Sequence, residues 1–301
     1  MRKAIQGLAL AAFYLMSLLP YRALYALSDF LYVIVYRLVR YRLSTVRRNM
    51  AAAFPDDTAD GLRRTEQGFY RWMCDYFVET VKLMTVPQDE LFRRAEFRGA
   101  EAVEDCFDRG QACAAILGHY GNWELLTAIG LTFRRHKEAV VGLVYTPLNN
   151  KTLDRLFIKI RQNTGGVCVP KQDILRYLVE FRRQNLMNIF GYVADQMPDG
   201  QAAQLGLDFL GRRVPVFTGA EKLMRKMGNA VFYIDVERPA RGKYVFTFVP
   251  LTADPEAMPE HELTRRFFDM LERSVRRDPS LYLWTHMPSR LSLKTKKNNT
   301  I

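Results

Sequence analysis

The chain has 301 residues, of which 49% are hydrophobic and 25% are charged. This composition is typical of a folded globular protein and excludes a disordered, collagen-like or low-complexity chain. Lysine and arginine number 44 against 32 aspartates and glutamates, so the formal net charge is +12. Such an excess indicates an anionic partner, which composition leaves open as a nucleic acid, an acidic protein or a membrane surface. The four cysteines show no C-x-x-C spacing, so a zinc ribbon or redox motif has no support, and so few unpatterned thiols fit a reducing compartment.

The amino-terminal region is nearly uninterrupted apolar sequence. Residues 4–19 form a first apolar run of 16 residues, which as a helix spans ~24 Å, less than the ~30 Å hydrocarbon core of a bilayer. A second apolar stretch, residues 23–39, follows Pro20. Three interpretations fit this pattern: a cleaved signal peptide, a helical hairpin buried in a soluble protein, and a segment inserted in a membrane. The sequence disfavours a signal peptide, because no small-x-small cleavage site follows Leu19.

The charges after the apolar region favour membrane insertion. Five arginines and no carboxylate lie between Asp29 and Asp56. The five are Arg37, Arg40, Arg42, Arg47 and Arg48. Arginines that directly follow an apolar helix interact well with anionic headgroups, and the positive-inside rule then places the following chain in the cytoplasm. We therefore predict that residues 1–42 form a membrane-anchoring helix or hairpin, with the rest of the chain on the cytoplasmic face.

A long amphipathic helix is predicted next, over residues 61–84. Aromatic and apolar side chains recur at helical spacing from Phe69 to Thr80. Such a stripe usually packs into a core, and this one is also suited to shelter an acyl chain.

From residue 100 onwards, short apolar runs alternate with amphipathic segments. The runs predict strands near residues 112–117, 139–145, 187–193, 230–236 and 244–249. The amphipathic segments predict helices near residues 123–135, 152–163, 172–183, 219–227 and 260–277. This alternation predicts an α/β fold with helices on both sides of one sheet. Because no Pro- or Gly-rich linker interrupts it, residues 43–290 are interpreted as one catalytic domain and residues 291–301 as a basic tail.

The densest group of candidate catalytic residues is the heptapeptide GHYGNWE at residues 118–124, directly after a predicted strand. Its two glycines permit a sharp turn, and Asn122 is a favourable helix N-cap. Glu124 is then expected in the first helical turn, where the helix dipole favours a carboxylate, and His119 in the loop before it can fold back to meet it. A carboxylate on one ring nitrogen leaves the other to act as a base. The alternative is a loop histidine with a purely structural hydrogen bond.

Several other chemistries lack their motifs. The sequence has no H-E-x-x-H, no G-x-S-x-G, no G-x-x-x-x-G-K-[ST] and no G-x-G-x-x-G after a strand. These absences disfavour a metalloprotease, a serine hydrolase and a nucleotide-binding protein. No zinc finger or RNP signature supports binding of nucleic acid. We therefore predict no metal, no cofactor and no nucleic-acid partner.

Six segments carry a resemblance to a known family over nearly the full length. They are VRYRLSTVRRNMAAAFP, GHYGNWE with its H-x4-E pair, VYTPLNN followed by IRQNTGG, VADQMPDG, FLGRRVPVFTGAEKLMRKMG and PSLYLWTHMPSR. The sequence resembles the lysophospholipid acyltransferase superfamily, and within it the bacterial lipid A secondary acyltransferases, which are the lauroyl and myristoyl transferases of Kdo2-lipid A. The resemblance implies a glycerol-3-phosphate-acyltransferase-like α/β domain with a mixed sheet flanked by helices.

The resemblance also implies roles for individual residues. By similarity, His119 is the general base and Glu124 orients it. The remaining four are implied as substrate-binding residues: Asn122, Trp123, Arg161, which holds negative charge near the site, and Asp195. For Arg161 and Asp195 the alternative is a structural role. An arginine is favourable at the carboxyl end of a helix, and an aspartate is favourable in a turn.

The segment near the carboxyl terminus departs from the family. The family often reads W-x-H-R-R there, whereas this chain has WTHMPSR at residues 284–290. Without the basic pair, a role of this segment in binding lipid phosphates is not implied, and His286 is left out of the catalytic set.

The implied activity is transfer of a fatty acyl chain from acyl carrier protein to a hydroxyl of a lipid A precursor, at the cytoplasmic face of the bacterial inner membrane. Both the acidic carrier protein and the phosphorylated glycolipid are anionic, in keeping with the positive charge of the chain. Two alternatives stay open. In the first, the protein is an acyltransferase for a different acceptor, either another glycolipid, such as a phosphatidylinositol mannoside, or a glycerolipid. In the second, the protein binds acyl chains at a membrane without catalysis.

Overall fold

A computed structural model describes residues 2–148, 150–197 and 205–285. The strands in this part of the chain are β1 (Ala95–Arg98), β2 (Cys113–Leu117), β3 (Val140–Tyr145), β4 (Val167–Pro170), β5 (Asn188–Val193), β6 (Leu205–Phe209), β7 (Arg212–Val216), β8 (Ala230–Ala240) and β9 (Lys243–Thr252). The α-helices are α1 (Arg2–Leu18), α2 (Tyr21–Tyr32), α3 (Leu43–Ala53), α4 (Ala59–Lys82), α5 (Gln88–Phe92), α6 (Glu101–Asp108), α7 (Lys151–Asn163), α8 (Ile174–Arg183), α9 (Gly219–Met227) and α10 (Glu262–Arg277). The described residues also include a π-helical turn (Val33–Leu38) and the 3-10 helices Trp123–Thr132 and Pro279–Leu281.

One mixed sheet of seven strands organises the domain, in the order β1-β9-β8-β2-β5-β3-β4. Strands β8, β2, β5, β3 and β4 run parallel to one another, whereas β9 is antiparallel to β8 and parallel to β1. The central strand β2 is buried along its whole length, as expected of a parallel strand covered on both faces. Because the five central strands are parallel, their carboxyl ends share one edge of the sheet, where α/β proteins bind ligands. Strands β6 and β7 form a separate antiparallel hairpin.

Most predicted elements of the α/β domain are confirmed. The five predicted strands correspond to β2, β3, β5, β8 and β9, and the mixed sheet flanked by helices is the fold that was expected. The helix predicted near residues 123–135 is a 3-10 helix, Trp123–Thr132. Strands β1 and β4 have four residues each at the two edges of the sheet, too short for a periodic signal. The predicted tail, residues 291–301, lies outside the described residues.

Helix α4 connects the amino-terminal helices to the sheet domain. It begins where the Thr58 side chain accepts a hydrogen bond from the Gly61 N–H, at 3.0 Å, which satisfies one of the free donors of the first turn. Part of the predicted aromatic stripe is in the core, where Phe69 and Trp72 are fully buried, whereas Phe77 is exposed. Helices α1, α2 and α3 all pack against α4.

Two short helices and a π-helical turn make up the amino-terminal region, for which a membrane-anchoring helix or hairpin was predicted. No helix among the residues described is long and apolar enough to cross a membrane. Pro20, with an extended backbone, divides the apolar region into the 17-residue α1 and the 12-residue α2, and each packs part of its surface on α4. Other apolar side chains of the region stay exposed, among them Leu8, Leu15, Phe30, Leu38 and Val39.

A buried aspartate fixes this amino-terminal unit to the sheet. Asp75 of α4 is 2% exposed and accepts hydrogen bonds from the Ser28 hydroxyl at 2.7 Å and from the guanidinium groups of Arg238 and Arg241 at 2.6 Å each. Ser28 lies on α2, whereas the two arginines lie at the end of β8 and in the turn after it. One carboxylate therefore joins α2, α4 and the β8–β9 hairpin.

The burial of this aspartate gives a stability prediction. We expect Asp75→Asn to lower the free energy of unfolding by about 3 kcal/mol, because it leaves two arginines without their buried counter-charge. The measurement is urea unfolding followed by circular dichroism. Asp89→Asn is the matched control, since Asp89 pairs with Arg93 where both side chains are exposed, and such pairs contribute about 0.5 kcal/mol. Equal losses in the two variants would contradict this account.

Candidate active site

The register of the central sheet brings a histidine and an aspartate together. Strands β2 and β5 pair in parallel, with Leu117 opposite Val193 at their carboxyl ends. The Ala194 N–H continues the ladder by donating to the Leu117 carbonyl at 2.9 Å. His119 and Asp195 each follow their strand by two residues, so they leave the sheet side by side. Two residues far apart in the sequence thereby meet at the edge of the sheet.

Asp195 holds both the ring and the backbone of His119. Its Oδ1 lies 2.7 Å from Nδ1 of the ring, and its Oδ2 accepts a hydrogen bond from the His119 N–H at 3.0 Å. Asp195 is only 3% exposed at its side chain, whereas 25% of the His119 side chain is exposed. The aspartate is therefore internal, and the histidine is open to a substrate.

The electrostatics of the pair suit a general base. Burial lowers the pKa of His119, but the charge and hydrogen bond of Asp195 and the charge of Glu124 outweigh it and hold the pKa above its usual value. Burial raises the pKa of Asp195, but the charge and hydrogen bonds of His119 outweigh that effect and hold it below its usual value. An ionised aspartate on Nδ1 selects the neutral tautomer in which Nε2 carries the lone pair.

The orienting contact predicted for Glu124 is made by Asp195 instead. Glu124 is a buried partner of Arg161, whose Nε and Nη2 donate to its two carboxylate oxygens at 2.7 and 2.9 Å. Burial lowers the pKa of Arg161, but the charge and hydrogen bonds of Glu124 outweigh it and raise the pKa above its usual value. The negative charge that Arg161 holds in the structure is therefore that of Glu124, which acts on His119 through its charge. Substrate binding by Arg161 stays a prediction.

Asn122 lies at the start of the 3-10 helix, as predicted, but its side chain does not cap that helix. Its Nδ2 donates to Oε2 of Glu79 on α4 at 3.0 Å, in the core of the protein. The reason is conformational: Asn122 has φ −97° and ψ 79°, outside the extended region from which an N-cap side chain reaches the next turn. The predicted role of Asn122 in substrate binding has no contact that tests it.

The two glycines of the heptapeptide are required by close packing. A Cβ on Gly118 would lie 2.6 Å from Cδ1 of Leu271, and one on Gly121 would lie 2.6 Å from Cγ1 of Val236. Gly121 also has φ +63°, which other residues adopt only with strain. The sharp turn predicted from these glycines is therefore confirmed.

A segment near the carboxyl terminus holds the same turn from the other side. The Gly121 N–H donates to the Leu281 carbonyl at 2.9 Å, and the Leu283 N–H donates to the His119 carbonyl at 3.0 Å. The next residues, 286–290, lie outside the described part, so the family departure there has no structural account.

Aromatic rings form one wall beside the histidine. Trp123 meets the His119 ring edge-to-face, with centroids 5.1 Å apart, and packs on Tyr76 of α4 at 4.5 Å. Trp72 continues the wall on the same helix. The stripe on α4 thus reaches the active site, where Tyr76 and Met73 are half-buried. Substrate binding by Trp123 and lining of an acyl groove by this stripe stay predictions.

Sequence reasoning missed Glu79 and the pair Leu281 and Leu283. Glu79 carries a signal, because it is a carboxylate in a stripe that the helix otherwise buries. The two leucines act through backbone groups, for which residue types give no signal. In the described ranges, no cluster of three or more His, Cys, Asp or Glu side chains is placed to hold a metal ion.

Comparison with known proteins assigns the family. The family model described as bacterial lipid A biosynthesis acyltransferase matches residues 1–289. No curated protein matches the chain. The family match spans the His119–Asp195 pair, the Glu124–Arg161 pair and the amino-terminal helices alike. The chain therefore belongs to the bacterial lipid A biosynthesis acyltransferase family, and it is an acyltransferase whose family implies a glycolipid acceptor.

Proposed function

We propose that the protein transfers a fatty acyl chain from acyl carrier protein to a hydroxyl of a lipid A precursor, with His119 as the general base. The observation that carries this proposal is the partly exposed His119 held at Nδ1 by the buried Asp195 at 2.7 Å. The pair lies at the carboxyl edge of the parallel strands, where a substrate has access.

The chemistry needs no protein nucleophile. Nε2 of His119 removes the proton from the acceptor hydroxyl as its oxygen attacks the thioester carbonyl of the donor. The new bond is the ester C–O bond, the C–S bond breaks, and the proton passes from His119 to the departing thiolate. Asp195 stabilises the imidazolium that exists between these two proton transfers. Positioning of two bound substrates contributes the rest of the acceleration.

We also propose that the protein works at the cytoplasmic face of the bacterial inner membrane, with its amino-terminal helices lying in the bilayer surface. The exposed apolar side chains of Leu38 and Val39 lie between exposed Arg37 and Arg40. Apolar side chains beside arginines suit the boundary between acyl chains and anionic headgroups. Both substrates then approach a site on the same side of the membrane.

The reaction class and the base are tested by an acyl-transfer assay. We expect wild-type protein in detergent to transfer a labelled acyl chain from acyl carrier protein to a lipid A precursor, and His119→Ala to reduce kcat by about 10²-fold or more. His136→Ala is a matched control: His136 also contacts an aspartate, Asp108, at 2.7 Å, but it precedes β3 and so lies at the opposite edge of the sheet. An active His119→Ala variant would remove the mechanism. Folded wild type without transfer would direct the search to other glycolipid or glycerolipid acceptors.

A pH profile tests the role of Asp195. Because Asp195 raises the pKa of His119, and the base must be neutral, activity rises with pH through that pKa. We expect Asp195→Asn to move the acidic limb of the kcat/KM profile to lower pH and to lower its plateau by about 10²–10⁴-fold. An acidic limb that stays in place would show that Asp195 does not set the charge of the base.

Membrane association is tested by sedimentation with lipid vesicles. We expect Arg37→Glu combined with Arg40→Glu to weaken binding to anionic vesicles by about tenfold or more, since each basic residue near such a surface contributes about 1 kcal/mol. Arg176→Glu combined with Arg183→Glu changes the charge equally on the exposed face of α8, at the β4 end of the sheet. An equal loss in both double variants would mean that net charge alone governs binding.

A further inference from the structure

We propose that Glu79 is a positioning residue for the catalytic turn: its carboxylate fixes Asn122 and thereby holds residues 118–124 in register with Asp195. The inference rests on the proposed function, because it takes His119 as the reacting group. Glu79 does not touch the histidine, and its effect passes through Asn122 and the backbone of the turn.

The carboxylate of Glu79 is held by uncharged donors. Besides Asn122 at 3.0 Å, the Tyr244 hydroxyl donates to Oε2 at 2.9 Å and the Tyr25 hydroxyl donates to Oε1 at 3.2 Å. Glu79 is 4% exposed, and Arg238, whose charge acts on it, forms its ion pair with Asp75. Burying a carboxylate on neutral donors costs stability compared with an apolar side chain.

The stability cost of burying the Glu79 carboxylate is consistent with a role in positioning Asn122. Asn122 is fully buried and stands between His119 and Glu124 in the sequence. Because its side chain does not cap its own helix, the side-chain contact that fixes it comes from α4. Released from Glu79, the amide would be a buried donor without an acceptor, and the turn would shift to satisfy it.

A shift of this turn changes the active site directly. Trp123, the next residue, packs edge-to-face on the His119 ring, and His119 is joined to Asp195 by both its ring and its N–H. A misplacement of about 1 Å at reacting groups lowers a rate by up to about 10²-fold. The expected effect falls on kcat, because neither Glu79 nor the Asn122 amide is open to a substrate.

The test swaps the carboxylate and the amide of the Glu79–Asn122 pair, first one at a time and then together. Asn122→Asp places two carboxylates against each other, and we expect it to lower kcat by about ten- to a hundredfold with KM for both substrates within about twofold. Glu79→Gln keeps one acceptor, and we expect a loss of up to about tenfold. In the double variant the amide introduced on α4 donates to the carboxylate introduced in the turn, so we expect kcat to return to within about threefold of wild type.

Asp75→Asn is the matched control. Asp75 is also a buried carboxylate of α4, one turn before Glu79, and like Glu79 it contacts α2 and the β8–β9 hairpin, but these hydrogen bonds do not reach residues 118–124. We expect it to lower stability and to leave kcat of the folded protein unchanged. This contrast separates positioning of the turn from a general loss of stability.

Hydrogen exchange at residues 118–124 gives a readout that needs no substrate. We expect faster exchange there in Asn122→Asp than in wild type, and wild-type protection in the double variant. If Asn122→Asp does not fold, we expect the double variant to fold. The kcat of the double variant, compared with that of wild type, then decides the proposal. Wild-type kcat in both single variants, or a folded double variant no better than Asn122→Asp, would overturn the proposal. If wild-type protein transfers no acyl chain, the proposed function fails, while the exchange data still decide whether Glu79 holds the turn.

Discussion

The candidate active site depends on the parallel pairing of β2 with β5. With Leu117 opposite Val193, residues two positions beyond each strand come together, and these are His119 and Asp195. A shift of one residue in this register would turn every side chain of β2 to the other face of the sheet. The register is set deep in the core, where β2 is buried on both faces. The contact between His119 and Asp195 is therefore set by strand pairing in the core of the domain.

The turn that carries the histidine is supported by parts of the chain that are distant in sequence. Helix α4 contributes Tyr76 against Trp123 and Glu79 against Asn122, and the segment around Leu281 adds backbone hydrogen bonds. Since α4 also carries the amino-terminal helices, one helix touches both the exposed apolar surface and the catalytic turn. The site is thus assembled by tertiary packing and only in small part by local sequence.

The sequence predicts the features that depend on neighbouring residues and misses the contacts between residues that are far apart in the chain. The buried strands β2 and β5 are apolar runs, so periodicity finds them, and the glycines of the heptapeptide correctly predict a turn. The partner of His119 is different. Spacing favours Glu124, five residues away, whereas the sheet register selects Asp195, and no local pattern encodes the pairing of two strands so far apart in the chain. The family resemblance singles out Asp195 as a site residue, but the contact itself is a property of the fold. Asn122 does not cap its helix, because its backbone lies outside the extended region, and the contact of its Nδ2 with Glu79 joins residues that no local pattern relates.

Glu124 and Asp195 differ in the positive group that neutralises each carboxylate, and this difference gives them different roles. Glu124 is matched by the guanidinium of Arg161 through two hydrogen bonds, so its counter-charge is permanent. Asp195 instead forms its ion pair, within the described residues, with His119, which is charged only when protonated. In the proposed mechanism, its counter-charge arises when the imidazolium forms, as the acceptor hydroxyl loses its proton. A buried aspartate next to a neutral imidazole is therefore stabilised most in the charged state through which the proposed reaction passes. The same carboxylate paired with an arginine would lose that preference, which is why a partner supplied by the register of the sheet suits the proposed base better than the nearest acidic residue in sequence, Glu124, which is already paired with Arg161.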